Sequence, residues 1–421
     1  MPAVTHQSAL RQLRQSNVAR VLGELRTHGP RSRADLAALT GLSRTTLSGI
    51  VSRLLHDGVL VEEAGPRTEA GGRGRPTQLL ALNPRSAQAV GIEVGRERIK
   101  VVIADAAHEV KAVGGAHRPA RADARAGAAL AVEVVRDLAR DEGIDLSAVT
   151  GVGVGTPGPG ETTRRAVSAQ AAAPDGPVVP RHRQLVADTV AELLQVPVLA
   201  DNNSRLAALA EAIWGAARGT GEVLYVSLSY GVGGGLVTGG RLFRGARGAA
   251  AEIGHIAVDP DGPRCWCGGH GCMELTASVP ALLRASGRRS WDRLRQALDA
   301  GEERACAAVE RASRAVGLAL AAACNTVNPQ RVVLGGEVAG LGPAFLGPVA
   351  AVFRHHTPGR VHSGTALLPA ALGDRGGALG GLALVLQESP LLAGYTAPVT
   401  PGADAAPDDD PLAPAHARNA Q

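Results

Sequence analysis

Four metal-binding side chains crowd one short stretch of this chain, and no other sequence feature constrains its fold as tightly. Glu252-Ile-Gly-His255 is followed by Cys265-Trp-Cys267-Gly-Gly-His-Gly-Cys272-Met-Glu274. One imidazole and three thiolates complete a tetrahedral shell for Zn2+. With no position left for water, such a site is structural and pins a loop. The predicted ligands are His255, Cys265, Cys267 and Cys272, with Gly268, Gly269 and Gly271 letting the chain fold back between them. His270 is the spare. The chain has five cysteines; an odd number crowded at one loop points to metal rather than disulfides. Cys306 and Cys324 fall on predicted helices as ordinary apolar residues.

At 421 residues, 45% hydrophobic and 20% charged, the chain can hold two or three domains with real cores. No apolar stretch approaches the roughly 20 residues of a spanning helix. Behind Met1 there is no apolar segment of a secretory signal. The expected location is therefore the cytoplasm, with no membrane partner.

The net charge of +5 is concentrated. Residues 1–76 hold eleven arginines against six acidic residues, while the remainder is balanced. A basic N-terminal piece on a neutral body is the charge layout of a domain that meets a polyanion. Its pattern agrees. Val18, Val21, Leu22 and Leu25 repeat at helical spacing, and His28-Gly29-Pro30 ends that helix. Ser32 with Asp35 forms a capping box for a second helix, whose inner face is Leu36 and Leu39. Gly41 turns the chain. Ser43 caps a third helix with Leu47, Ile50, Val51, Leu54 and Leu55 inside and Arg44, Thr45, Ser48 and Ser52 outside. This is a helix-turn-helix with residues 43–55 as recognition helix.

Strands at Val59–Glu63 and Thr77–Leu82 flank the loop Gly71-Gly-Arg-Gly-Arg-Pro76, which reads as a wing. Arg73 and Arg75 at its tip suit a narrow minor groove. Arg44 is placed to reach base edges, Thr45, Thr46 and Ser48 to reach bases or phosphates, and Arg53 to reach phosphate. Gly49 inside the helix costs about 1 kcal/mol relative to Ala; a close backbone approach would account for it.

From about residue 88 strands alternate with helices. Strands are predicted at 89–94, 99–104, 149–155, 196–200, 222–227, 234–237 and 331–334, and helices at 128–141, 184–194, 279–297 and 302–326. This reads as an α/β body of two halves with a cleft between them. Gly151-Val-Gly-Val-Gly-Thr-Pro-Gly-Pro159 and Gly231-Val-Gly-Gly-Gly235 are expected to be turns at that cleft, where backbone N–H groups could approach an anion.

Glu252-x-x-His255 with its Cys-x-Cys-x4-Cys cluster, Gly155-Thr-Pro-Gly-Pro159 and Gly231-x-Gly-Gly-Gly235 together resemble the ROK family (repressor, open reading frame, kinase). Its members are actin-like sugar kinases and their winged-helix regulator relatives, and the resemblance covers about residues 10–390. It implies a winged helix-turn-helix at 10–82 fused to a two-lobed actin-like α/β fold of the sugar kinase/ribonuclease H-like kind. The first lobe is 88–205, completed by a helix near 376–390; the second is 206–375 with the zinc loop. The Pro-, Ala- and Asp-rich end, 398–421, reads as a disordered tail. By resemblance Glu252, His255 and Glu274 bind sugar hydroxyls, as does the pair Asn202-Asn203, with His255 serving both metal and ligand.

The departures from the kinase pattern indicate lost catalysis. Where family kinases carry Asp-x-Gly-Gly-Thr for magnesium and phosphate, this chain has Glu93-Val-Gly95-Arg96-Glu97. Their catalytic Asp falls on Asn203, and an amide cannot act as a general base. Asp201 lies on the same face if the strand continues that far. The kinase sugar-contact loop reads Ala173-Pro-Asp-Gly-Pro here.

The expectation is a non-enzymatic transcriptional regulator, a repressor of carbohydrate metabolism genes. It would act as a homodimer or homotetramer on double-stranded operator DNA, governed by a sugar or sugar phosphate. The alternatives are an active hexose kinase with an accessory DNA-binding domain, or a regulator controlled by a protein partner.

Overall fold

The computed structural model describes residues 16–18, 20–25, 28–64, 78–83, 88–105, 109–158 and 181–388. Arg73 and Arg75, the segment 173–177 and the tail 398–421 lie outside the described residues. The chain divides into two compact units. Of the described residues, one contains those up to Val154, Leu185–Ala200 and those from Gly381 to Glu388; the other contains those within Gly155–Gln184 and Asp201–Gly380.

The N-terminal part is built on strand β1 (Arg31–Ser32), helices α1 (Arg33–Thr40) and α2 (Arg44–His56), and strands β2 (Leu60–Ala64) and β3 (Gln78–Leu82). The strands pair antiparallel in the order β1-β3-β2. The local signals in the sequence act as chemistry requires. Ser32 Oγ accepts from the N–H of Asp35, and the Asp35 carboxylate accepts from the N–H of Ser32. Gly41 is left-handed, at φ 65°. Ser43 Oγ accepts from the Thr46 N–H. Val21, Leu22 and Leu25 pack with Leu36, Leu47, Val51, Leu54, Leu60 and Leu80 in one core.

Leu39 departs from expectation. It is 45% exposed, and Thr40 is buried in its place. So short a helix buries a single stripe. Leu36 and Thr40, four apart, share it at about 40° from one another; Leu39 lies about 60° to the other flank of Leu36, roughly 100° from Thr40, and falls at the solvent edge of the stripe. Thr40 meets its burial cost by donating its hydroxyl to the Leu36 carbonyl.

The body contains two sheets of the same strand order. The first uses β4 (Gln88–Val94), β5 (Arg98–Asp105), β6 (Val110–His117), β7 (Val149–Thr156) and β8 (Val198–Asn202), ordered β6-β5-β4-β7-β8. The second uses β9 (Val223–Leu228), β10 (Val232–Thr238), β11 (Arg241–Phe243), β12 (Arg331–Gly335) and β13 (Ala366–Pro369), ordered β11-β10-β9-β12-β13. In each, three strands form an antiparallel meander and a fourth and fifth continue from the other side of the first strand. In the second sheet these last pairings are parallel. The repeated order is the actin-like layout.

Helices accompany the strands: α3 (Ala124–Asp141), α4 (Arg181–Leu194), α5 (Asn203–Ile213), α6 (Glu274–Ala277), α7 (Val279–Ser286), α8 (Trp291–Asp299), α9 (Glu303–Val327), α10 (Pro343–His355), α11 (Gly359–His362) and α12 (Gly376–Glu388). The helix expected over 279–297 is two helices, broken where Gly287 turns left-handed at φ 73°. Among the described residues no helix is long and apolar enough to cross a membrane.

The glycine runs expected as anion-cradling turns lie largely inside strands. Gly151, Gly153 and Gly155 sit in β7, and Gly233–Gly235 in β10. A Cβ on Gly153 would strike the backbone of Gly381 in α12; one on Gly235 would lie 2.6 Å from the Ala208 Cβ and 2.8 Å from the Arg205 Cα. These glycines let helices lie directly on strands. Gly49 is the opposite case, with nothing within 4 Å of an added Cβ. Gly49→Ala should therefore raise the stability of the protein by about 1 kcal/mol. Gly153→Ala should lower it by about 3 kcal/mol or more through overpacking. Urea unfolding of the two variants checks both signs.

Candidate functional site

The four predicted metal ligands converge. One donor atom from each of His255, Cys265, Cys267 and Cys272 lies within 4.8 Å of all the others. The Cys265 Sγ is 3.7 Å from His255 Nδ1, and Cys267 Sγ is 3.6 Å from Cys272 Sγ. A tetrahedral ion with bonds of about 2.3 Å to sulfur and 2.0 Å to nitrogen spaces its ligands by roughly 3.5–3.8 Å, so the donor set fits. It could hold a metal ion. Without a cation, burial and the neighbouring thiols push Cys272 up to about 12, and burial pushes Cys265 up as well. A bound cation would be what ionises them.

Backbone pairing shapes the loop before any ion is considered. Ala257 bridges to Cys272 and Arg264 to His270, and the Cys265 N–H donates to the Gly269 carbonyl at 2.7 Å. Gly271 is left-handed, at φ 58°, and presses on the Asp259 carbonyl so closely that no Cβ fits. His270 is exposed, as its reading as a spare requires.

This loop is tied to the predicted sugar-contact residues by a side chain the sequence reading overlooked. Trp266, between two of the cysteines, donates its indole N–H to Glu274 Oε1 at 2.6 Å. Its ring meets the His255 ring edge-on, centroids 4.8 Å apart. Glu274 Oε2 accepts the Val232 N–H at 3.0 Å. The buried Glu274 carboxylate is thus fixed from two sides, one of them the metal loop. His255 turns Nδ1 to the thiols, which leaves Nε2 for another partner.

The second cluster lies at the junction of β8 and α5. The strand stops at Asn202, and Asn203 begins the helix, so Asp201 and Asn203 do not share a strand face. Asp201 is buried and fully engaged. Oδ1 accepts from Arg205 at 3.3 Å and from the Asn202 N–H at 2.7 Å, and Oδ2 accepts from Arg244 Nε at 2.8 Å. Two guanidiniums on one carboxylate leave it poorly suited to remove a proton from a sugar hydroxyl. Arg205 also reaches Glu252 Oε1 at 3.2 Å, while the Glu252 side chain stays 53% exposed. Asn202 caps α5 with its amide oxygen, and Asn203 Oδ1 also accepts the Ser204 N–H.

Arg183 completes the cluster. Its residue is 7% exposed, and Nε donates to Thr156 Oγ1 at 3.2 Å. Burial lowers it from the ordinary guanidinium range; Asp201 and Glu252 work the other way, and Arg205 adds to the lowering. The sequence reading missed Arg183, Arg205 and Arg244. The one available signal was Arg205 standing four residues after Asp201, opposite charges within reach of one another across the strand-to-helix junction.

The segment that replaces the kinase phosphate loop is a closed hairpin in the other unit. Gly95 N–H donates to the Arg98 carbonyl at 2.9 Å, and Arg118 Nη1 donates to the Gly95 carbonyl at 3.1 Å. Arg96 and Glu97 point outward as exposed residues.

On α2, Arg44, Thr45, Thr46, Ser48 and Arg53 are all exposed, opposite buried Leu47, Val51 and Leu54. Thr46 shares its hydroxyl with Ser43 at 2.9 Å, and Arg53 lies 3.5 Å from Asp57.

The cluster could hold a metal ion. Stripping an ion bound there should lower the melting temperature and loosen Trp266, read as a shift in tryptophan emission. Cys272→Ser should behave like the stripped protein. Unchanged melting with the metal demonstrably gone contradicts the role assigned to the loop.

Comparison with known proteins places these features in a family. A model of the ROK family matches residues 89–388. The chain is 27% identical to the xylose repressor of Bacillus subtilis (strain 168) over 374 residues, 87% of this chain and 94% of the repressor. It is 34% identical to a glucokinase of Halalkalibacterium halodurans over 221 residues, 48% of this chain and 67% of the kinase. A crystal structure of a ROK family transcriptional regulator, described as a homologue of the E. coli MLC protein, superposes with a TM-score of 0.73 at 24% identity. It covers 91% of this chain and 97% of that one. With two sheets of one strand order, a cluster of one histidine and three cysteines, and a family match over most of its length, the chain belongs to the ROK family.

Proposed function

We propose that this protein is a DNA-binding transcriptional regulator, by default a repressor, of carbohydrate metabolism genes, and that a sugar or sugar phosphate governs it. The observation that carries the reading is α2. It follows the three-residue turn Gly41–Ser43, buries one apolar face, and leaves Arg44, Thr45, Thr46, Ser48 and Arg53 in solvent. A polar helix face presented this way is what a major groove accepts. Its likeness to a xylose repressor along nearly the full length of both chains supports the same reading.

In this reading residues 10–82 form the winged helix, with Arg44 on base edges, Arg53 on phosphate, and Arg73 and Arg75 in the minor groove. Residues 88–205 with 376–390, and 206–375, form the two kinase-like lobes. Asn202, Asn203, Glu252, His255 and Glu274 hold the effector. The ion is Zn2+, held by His255, Cys265, Cys267 and Cys272 in a closed, structural site. The protein works in the cytoplasm as a homodimer or homotetramer, since one winged helix reads too few base pairs. The committed Asp201 carboxylate and the amide at Asn203 support an absence of kinase activity.

Fluorescence anisotropy of the purified protein on DNA from upstream of its own gene, against a scrambled competitor at several salt concentrations, tests this. Competitor-resistant binding with a steep salt slope is expected. Arg44→Ala should weaken specific binding about 10- to 100-fold, equivalent to 1–3 kcal/mol. Binding no tighter than to the scrambled duplex, with Arg44→Ala indistinguishable from wild type, contradicts the proposal.

A further inference from the structure

The four metal-binding side chains are not equally sheltered. Cys265 and Cys272 are buried and His255 is half-buried, whereas Cys267 is exposed and opens a run of exposed residues that ends at His270. Its Sγ lies 3.6 Å from that of Cys272, while the Cys265 Sγ stands 3.7 Å from His255 Nδ1. The Gly269 N–H donates to Cys267 Sγ at 3.4 Å, a contact that favours the ionised sulfur. A Cβ built on Gly269 would meet only the sulfurs of Cys267 and Cys272, at 3.5 and 3.7 Å, among the described residues beyond its chain neighbours. The space in front of this sulfur pair is open.

A metal site that serves only to pin a loop is safest with every sulfur shielded, because buried thiols are inert. Coordination keeps a thiolate ionised at neutral pH. Peroxides select thiolates that solvent reaches and that have a second thiol beside them to resolve the first product. Cys267 meets the first condition and Cys272 the second; Cys265 is turned to His255. To bond at about 2.05 Å the two sulfurs, now 3.6 Å apart, must close by about 1.5 Å. Gly268 and Gly269 lie between them in the chain and carry no side chain to resist that shift.

We propose that Cys267 is a peroxide-reactive thiolate that forms a reversible disulfide with Cys272 and so releases a metal ion from the loop. In the first step the Cys267 sulfur takes an oxygen from hydrogen peroxide: an S–O bond forms, the O–O bond breaks and hydroxide leaves. In the second, the Cys272 thiolate attacks that sulfur; the S–S bond forms, the S–O bond breaks and a second hydroxide leaves. The two thiolates are oxidised by two electrons in all, the peroxide is reduced by two, and two protons from solvent turn the hydroxides into water. His255 and Cys265 remain as two donors where a tetrahedral ion needs four. In a reducing compartment, thiol exchange reverses the bond. Trp266, which joins this loop to Glu274 and meets the His255 ring edge-on, reports the change. None of this depends on the effector reading.

The test uses the full-length, Zn2+-loaded protein carrying Cys306→Ser, which removes the exposed thiol outside the loop. Hydrogen peroxide is added while released Zn2+ is followed with a chromogenic chelator, thiols by differential alkylation and mass spectrometry, and Trp266 by tryptophan emission. One equivalent of peroxide is expected to release about one equivalent of Zn2+, in step with a Cys267–Cys272 disulfide. Reduced glutathione with added Zn2+ should restore the starting emission. Cys267→His keeps a fourth donor without a sulfur, and should release Zn2+ at least about 10-fold more slowly; Cys267→Asp serves if that variant does not fold. Release as fast from either variant as from the parent overturns the proposal. So does a disulfide through Cys265, an irreversible sulfinic acid at Cys267 without a disulfide, or Zn2+ retained with all three loop thiols intact under a large excess of peroxide. A parent chain that takes up no Zn2+ overturns it as well.

Discussion

The buried carboxylate of Asp201 organises the proposed effector site. It stands at the end of β8, takes Arg205 from the first turns of α5, and takes Arg244 from the chain just after β11. Arg205 in turn reaches Glu252. Strand, helix and the approach to the metal loop are thereby held by one ion network. Networks of this kind are expensive, because every charge gives up hydration. Apolar residues of similar volume often stabilise a fold as well or better. Retaining one where a related kinase would perform chemistry points to a use in recognition, with the carboxylate spent on positioning guanidiniums rather than on moving protons.

The metal loop is joined to that site by short contacts. His255 belongs to the thiol cluster and to the proposed effector residues, and Trp266 links the loop to Glu274 through a single indole N–H. The Glu274 carboxylate is held by Trp266 and by the Val232 N–H in β10. An ion that orders residues 255–272 would therefore also order the Glu274 carboxylate. In the proposed function this gives a physical reason for a metal beside the effector residues: the ion would remove freedom that binding would otherwise have to remove.

Much of this was legible in the sequence, because the relevant rules are local. Capping by Ser32 and Ser43, the Gly41 turn and the α2 stripe of Leu47, Val51 and Leu54 follow from nearest neighbours along the chain. The metal ligands were legible for the same reason, since their spacing within one loop restricts where they can go. What failed depended on contacts distant in sequence. Leu39 and Thr40 exchanged roles because one short helix could bury only one stripe. The glycines of β7 and β10 read as turns, but they answer to helices that pack on them from far along the chain, as Gly153 does to Gly381. Arg183, Arg205 and Arg244 looked like surface arginines in an arginine-rich chain. Only the fold brings all three to Asp201 and Glu252. The edge strands β6, β11 and β13 were missed because their exposed or brief apolar patterns are too short to register.

In the proposed function a kinase-like fold recognises a ligand without turning it over. Phosphoryl transfer from labelled ATP to neutral hexoses, pentoses and N-acetylated sugars, measured on the preparation that binds operator DNA, puts this to the test. No labelled sugar is expected above the protein-free control, with wild type and Asp201→Ala alike. Sugar phosphorylation by the wild-type chain that disappears in Asp201→Ala would contradict it, because Asp201 would then be acting as a base despite its two guanidiniums.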